Sequence, residues 1–370
     1  MQANKPLSGK LVLDLTQGIA GPYCGRLLAE YGARVIKVEP PGGDWVLQIG
    51  GGPGETSVNY LYYNFGKESI ELDIRTPEGA AAAKKIASKA DVIMESARPG
   101  VTERRGLGFE EVRKINSTII YLSVSGYGQT GPRGPDPMTD TVGQAYSGMM
   151  SINAGMDGIP HKIHTTIIDA ITGLYAFQNV SMALFGGVSD AQHIDMSLMQ
   201  SSAAIMGPKV LEFAHFGHSP ASPNPPAGSY PTKDGWIAVT LVRESHFVDL
   251  SNALGRPDLP VNPKFATFAH RLEHLSELVA IINGITPART TADWVTHFRA
   301  NNVLCSPIND FGMWMDDPQV VATQGAPVME VLPNGTRSPV PRTPGREPFL
   351  APCAGPAADT ERVLAEFGLT

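Results

Sequence analysis

Cysteine is scarce in this 370-residue chain: Cys24, Cys305 and Cys353 stand far apart, with no CxxC spacing. That excludes a disulfide framework and a thiolate metal site, and fits a reducing compartment. Cys24 lies between Tyr23 and Gly25 inside a helical pattern, where a buried apolar thiol is expected rather than a nucleophile. Histidine pairs at HxxxH or HExxH spacing are missing too, so His161, His164 and His193 are expected to be structural or surface residues and no metal is expected. Positive charge is outnumbered, 29 Lys and Arg against 36 Asp and Glu for a net charge of -7, which argues against a general nucleic-acid binder. No run of 18 apolar residues occurs, and the opening MQANKPLSGK has no apolar h-region. A cytoplasmic protein without membrane contact is therefore expected. No internal repeat or heptad run is found.

What is there is an ordinary globular balance, 42% hydrophobic and 18% charged, in a chain long enough for two domains. LVLDL (11–15), RVIKVE (34–39), SIELDI (69–74), DVIMES (91–96) and IIYLSVSG (119–126) alternate with helical stretches such as PYCGRLLAEYG and PEGAAAAKKIASK. Apolar strands spaced by helices of this length predict an α/β fold: a doubly wound, Rossmann-like parallel sheet covered on both faces. Ligands in such sheets bind beyond the carboxyl ends of the strands, which directs attention to the loops after Leu15, Glu39, Ile74, Glu95 and Ser125. A large α/β domain is expected over 1–218, a proline-rich linker over 219–227 and a smaller α+β domain over 228–328. Residues 329–370, too short to fold alone, are expected to return to the large domain with a C-terminal helix.

Three features carry candidate chemistry. Asp169 closes a β-branched run and opens the apolar, proline-free segment 170–185, so it is expected at or near a helix N-cap. Capping alone would explain it; equally, a carboxylate at a helix N-terminus beside small residues can be ionised, held and approachable, as a nucleophile must be. The loop Thr16-Gln17-Gly18-Ile19-Ala20-Gly21-Pro22 invites a dinucleotide reading, with Glu39 about where a ribose-binding acid would stand. Its spacing is GxxGP rather than GxGxxG, and Pro22 removes a donor that a pyrophosphate would use. Arg75, Arg98, Arg104 and Arg105 cluster after the third and fourth strands, as surface charge or as phosphate ligands. The glycine- and proline-rich connector 126–137 leads into Asp140, which the flanking glycine loops could bring close to Asp169.

Taken together, LSGKLVLDLTQGIAGPYCGRLLAEYGARVIKVEPPGGD, SIELDIRTPEG, ADVIMESARPGVTERRGLGFEEV, SVSGYGQTGP and the Asp169 segment resemble the class III CoA-transferases, the formyl-CoA transferase and carnitine CoA-transferase type. The similarity runs in order from about Leu7 to Met206 and more weakly to the C-terminal helix. The resemblance implies an interlocked homodimer, coenzyme A as co-substrate, acyl-CoA and carboxylic acid substrates, and Asp169 as a covalent carrier. It implies CoA-binding roles for Ile19 and Ala20, for Leu72, Asp73, Ile74 and Arg75, for Ser96, Ala97 and Arg98, for Arg104, and for Pro137, Met138, Thr139 and Asp140.

The departures are informative. Pro40 stands where formyl-CoA transferase has a CoA-binding arginine, which makes Lys37 the candidate replacement. Ile19 stands where that enzyme has a glutamine, and its run of glycines is missing before Tyr230, so oxalate and formate are disfavoured as substrates. Met149, Met150, Ile152, Met199 and Met206 are candidates for lining a larger acyl pocket or for ordinary core. Two rivals remain: an α-methylacyl-CoA racemase of the same fold, which would need a histidine where Thr139 stands, and a non-catalytic acyl-CoA binder.

Overall fold

The computed structural model describes residues 5–53, 56–154, 158–217, 224–348 and 351–369. Residues 219–223 of the expected linker lie outside the described residues. The chain divides into two compact units, 1–211 with 324–370, and 212–323.

The first unit is built on six parallel strands: β1 (Leu11–Leu15), β2 (Arg34–Glu39), β3 (Glu68–Glu71), β4 (Val92–Glu95), β5 (Ile120–Ser125) and β6 (Gln192–Ser197), in the order β3-β2-β1-β4-β5-β6. Side chains of a strand alternate between faces, and the inner strands β1, β2, β4 and β5 are apolar on both. Leu13, Ile36, Ile70 and Ile93 pack under the Pro77–Ala87 helix through Ala83 and Ile86, where Val363 and Phe367 of the C-terminal helix also lie. Val12, Val35, Val92 and Ile120 point the other way and pack against Cys24 and Leu28 of the Ala20–Glu30 helix and Ile168, Ala176 and Val180 of the Ile167–Gly186 helix. The sheet is therefore clad on both sides, and only its strand ends are open to a ligand.

The third strand stops at Glu71 rather than running on to residue 74. Leu72 still bonds to β2, but the Ile74 amide turns back to the Leu72 carbonyl and the Arg75 amide to the Asp73 carboxylate, which closes a turn. Residues 353–360 cover the outer edge of β3: Asp359 and Thr360 accept the Ser69 and Glu71 amides, and the Thr360–Glu366 helix follows. A small antiparallel pair, Val328–Glu330 with Arg337–Pro339, belongs to the same unit.

The Ile167–Gly186 helix is long and apolar enough to cross a membrane by length and composition. In this fold its Ile168, Thr172, Ala176 and Val180 are buried in the unit's core, while Leu174, Met182 and Phe185 are exposed.

The second unit contains a three-stranded antiparallel sheet, Gly228–Pro231, Trp236–Thr240 and Leu304–Pro307. The first two strands are joined by a turn in which the Thr232 amide bonds to the Gly235 carbonyl. Helices Ser245–Ala253, Leu275–Ile285 and Thr291–Ala300 enclose Tyr230, Ile237, Phe247, Trp294 and Phe298.

Candidate active site

A cavity of about 390 Å³ lies at the carboxyl ends of β1, β4 and β5, beside the point where the strand order reverses between β1 and β4. Its walls come from the 15–21 loop, the 95–99 loop, Ser125 and Gly126 at the end of β5, the 137–139 segment, and Asp169.

The first loop is held from below by buried charge. Lys37, only 1% exposed, donates to the Thr16 carbonyl at 2.9 Å and to Asp44 at 2.9 Å. The Asp44 carboxylate accepts the Gly18 amide at 3.1 Å and caps the short Trp45–Gln48 helix through the Val46 amide. Lys67 pairs with Asp14 at 2.8 Å and with the Pro22 carbonyl at 2.8 Å. Burial works against the charge on Lys37, but Asp44, Asp14 and Glu39 outweigh it and raise its pKa, so the ammonium persists at neutral pH. Lys37 is thus committed to the loop and is not a phosphate ligand, contrary to the expectation from sequence. Glu39 is likewise spent: it accepts from Tyr60, Ser69 and the Asp44 amide, which leaves no ribose-binding acid at the end of β2. Gly18 has φ +83°, and a Cβ there would meet the Trp45 ring at 2.5 Å, so the loop can carry no side chain at that point.

Asp169 sits in the first turn of the Ile167–Gly186 helix, not at its N-cap. The capping is done by another residue. Asp140 Oδ2 accepts the Ile168 amide at 2.7 Å and the Asp169 amide at 3.2 Å, which satisfies two donors that a helix start leaves free. Asp140 Oδ1 accepts from Gln144 at 2.6 Å, and Gln144 in turn accepts the Ile163 amide at 2.8 Å. The segment entering the helix is therefore tied to the Asp140–Tyr146 helix by a chain of side-chain bonds. With Asp140 occupied as the cap, the Asp169 carboxyl is left to face the cavity. Burial, and then the neighbouring Asp140 carboxylate, push Asp169 up to about 7.

Glycines bring the parts together. Gly173 lies one turn beyond Asp169, and a Cβ there would stand 2.7 Å from the Ala20 carbonyl and 2.9 Å from Tyr23 Cβ. Gly126 lets the 137–139 segment close on the end of β5, since its Cβ would fall 2.5 Å from Met138 Cβ.

Of the residues singled out from sequence, the cavity gathers Ile19, Ala20, Ile74, Ser96, Ala97, Arg98, Pro137, Met138, Thr139 and Asp169. It does not gather Leu72, Asp73, Arg75, Arg104 or Asp140. Leu72 is packed in the core, and Asp73 and Arg75 pair with each other at 2.7 Å. Arg104 points to solvent, and the next residue, Arg105, lines the wall instead. Arg105 was one of the four clustered arginines offered as phosphate ligands, whereas Gln17, Trp45 and Glu95 were not chosen as site residues from sequence. For Glu95 a signal was present, an acid ending an apolar strand at the edge where ligands bind. Among the described residues no group of three His, Cys, Asp or Glu side chains is arranged to hold a metal.

A profile of CoA-transferase family III matches residues 7–348. The chain is 34% identical to a succinate–glutarate CoA-transferase of Agrobacterium fabrum over 92% of this chain and 88% of that protein. It is also 34% identical to a succinyl-CoA–D-citramalate CoA-transferase of Chloroflexus aurantiacus, over 86% and 82%. The crystal structure of a CAIB/BAIF family protein from Brucella suis superposes with a TM-score of 0.86 at 29% identity, covering 98% of this chain and all of that one.

Proposed function

The chain belongs to CoA-transferase family III, an enzyme family that transfers CoA between acyl-CoA and carboxylates, and on that premise we propose that Asp169 is the residue through which the CoA passes. The observation that carries the proposal is the placement of its carboxyl. It opens into the cavity from a helix start already capped by Asp140, so capping does not account for it.

In the proposed sequence, an Asp169 oxygen attacks the thioester carbonyl of the donor and expels CoA thiolate, leaving a mixed anhydride. The thiolate then attacks the aspartyl carbonyl, releasing the donor acid as its carboxylate and forming an aspartyl-CoA thioester. The acceptor carboxylate attacks that thioester, and the returning thiolate takes the acceptor's acyl group from the second anhydride, which frees Asp169. Each step exchanges one activated acyl group for another of similar energy, so neither ATP nor a metal is required. Oxyanions formed on the way need donors, and Ile19, Ala20 and Gly21, which line the same cavity, stand at the start of the Ala20–Glu30 helix, where amides lack intrahelical acceptors.

The phosphates of CoA are assigned to Arg98 and Arg105, the cations on the cavity wall. Dicarboxylic acyl groups, succinyl first, are the substrates to try, by analogy with the two relatives above. Racemisation gains no support, since Thr139 offers no second base and, among the described residues, no histidine lines the cavity. The assembled enzyme is read as an interlocked homodimer, which would give the exposed apolar Leu174, Met182 and Phe185 a partner surface.

The test is chemical trapping. Incubation with succinyl-CoA, then borohydride or hydroxylamine and digestion, should modify the peptide holding Asp169 while exchange with glutarate runs. An unmodified peptide under running exchange would remove Asp169 from the pathway.

A further inference from the structure

Glu95 is a buried acid that the proposed mechanism leaves unused. It ends β4, one residue before the Ser96-Ala97-Arg98 segment, and lines the cavity although only 3% of its surface is exposed. One oxygen accepts the Ala97 amide at 2.8 Å. The Ser123 hydroxyl, directly across in the register of β5, is its second partner. Among the described residues no lysine or arginine forms an ion pair with it.

The charges around it are mixed at the wall and negative behind. Arg98, Arg105, Asp136 and Asp169 share the cavity. Glu103 on the Val101–Arg104 helix and Asp195 on β6 act on it as like charges, and His193 of β6 reaches Ser123 at 3.0 Å. Taking a carboxylate out of water without a cation is costly, and such a group keeps its proton instead. Burial accordingly pushes Glu95 up to about 7; Glu103 and Asp195 push the same way against the bonds from Ser123 and Ala97.

We infer that Glu95 meets bound CoA as an uncharged hydrogen-bond donor, so that the enzyme's hold on CoA slackens in alkaline solution. The inference rests on the reading of this cavity as the CoA site. CoA carries amide carbonyls and phosphate oxygens, which accept and do not donate at these atoms. A protonated Glu95 can serve them, whereas its carboxylate form loses the donor and repels the phosphates.

The experiment is calorimetric titration of the full chain with CoA at pH 6 and pH 8, for wild type, E95Q and R98L. Glutamine keeps the shape and a donor but cannot ionise. A proton required at Glu95 weakens wild-type binding about tenfold across this range, by linkage to a group titrating near its midpoint. The pH dependence that remains in E95Q should be only that of CoA and of Asp169, which shares the cavity and is common to both proteins; with these divided out by the D169N and D169N/E95Q pair, the ratio contributed by residue 95 should collapse toward one. Parallel profiles for wild type and E95Q, or a flat wild-type profile, overturn the role of Glu95 and leave the CoA site standing. Absence of CoA binding, or an R98L protein that binds as wild type does, instead overturns the reading of the cavity. Thermal melts of E95Q and R98L establish that each is folded under the titration conditions.

Discussion

Asp140 caps the helix that carries Asp169: a single carboxylate oxygen holds the Ile168 and Asp169 amides at 2.7 and 3.2 Å. This one contact fixes the position of the Asp169 backbone and sets two like charges close together. Replacing Asp140 with alanine removes the cap and should cost about 1–2 kcal/mol of stability, read from urea unfolding. The same substitution removes the neighbouring negative charge. The ionisation of Asp169 should therefore move to lower pH, and the acidic limb of the kcat/KM profile with it. D140N is the informative companion, because its amide oxygen can still accept while its charge is gone. It should shift the pH profile with a smaller loss of stability.

Asp169 itself should trade stability against activity. Its folded-state pKa of about 7 is above the ordinary value of 3.8, so between those two values the folded protein binds the extra proton. Stability then falls as pH rises through that interval, and above about 7 the full penalty of the buried charge is present. D169N should melt higher than wild type at pH 8, with the gap closing toward pH 4. CoA binding should survive, and exchange between succinyl-CoA and glutarate should be abolished. For the wild type, exchange should rise with pH through about 7, since attack requires the ionised carboxyl.

Much of this arrangement is written in local sequence. The apolar strands, their helical spacers and the loops at the carboxyl ends of β1, β4 and β5 follow from periodicity, because each segment's pattern matches the face it buries. What local sequence could not reveal is which acid plays which part. In sequence Asp169 reads equally well as a cap, but it falls inside the first helical turn, and the cap is supplied by Asp140, 29 residues away in sequence. The fate of Lys37 was hidden for the same reason. A lysine inside RVIKVE is equally a phosphate ligand or half of a buried pair until Asp44 is seen to fold back over it. Arg104 and Arg105 differ only in their angle around a one-turn helix, which periodicity cannot resolve across so short a segment.

The buried pair Lys37 and Asp44 supports a loop rather than a ligand. Removing only the lysine, as K37M, leaves Asp44 uncompensated in the interior and should cost about 3–5 kcal/mol. The double variant K37M/D44N should recover part of this loss, because the stranded charge disappears. With the Gly18 amide less firmly held, the 15–21 wall of the cavity loosens, so the KM for acyl-CoA should rise in both proteins. A K37M protein as stable as wild type in urea would mean that the pair is not the prop described here.

Gly173 sets how closely the Asp169 helix approaches the start of the Ala20–Glu30 helix. It sits within the Ile167–Gly186 helix, where glycine by itself is less favourable than alanine by about 1 kcal/mol, so propensity alone predicts that G173A stabilises. The packing predicts the opposite. An added Cβ would lie 2.7 Å from the Ala20 carbonyl and 2.9 Å from Tyr23 Cβ, and backbone cannot yield there as the tip of a flexible side chain would. Overpacking of this kind costs about 1–3 kcal/mol, enough to outweigh the propensity gain. Relief comes only by moving the two helices apart, and that carries Asp169 away from Ile19 and Ala20, which line the same cavity. G173A should therefore melt lower than wild type and lose kcat by more than KM, since reacting groups are displaced while the Arg98 and Arg105 wall remains. A stabilised G173A with full activity would show that the two helices have room to spare.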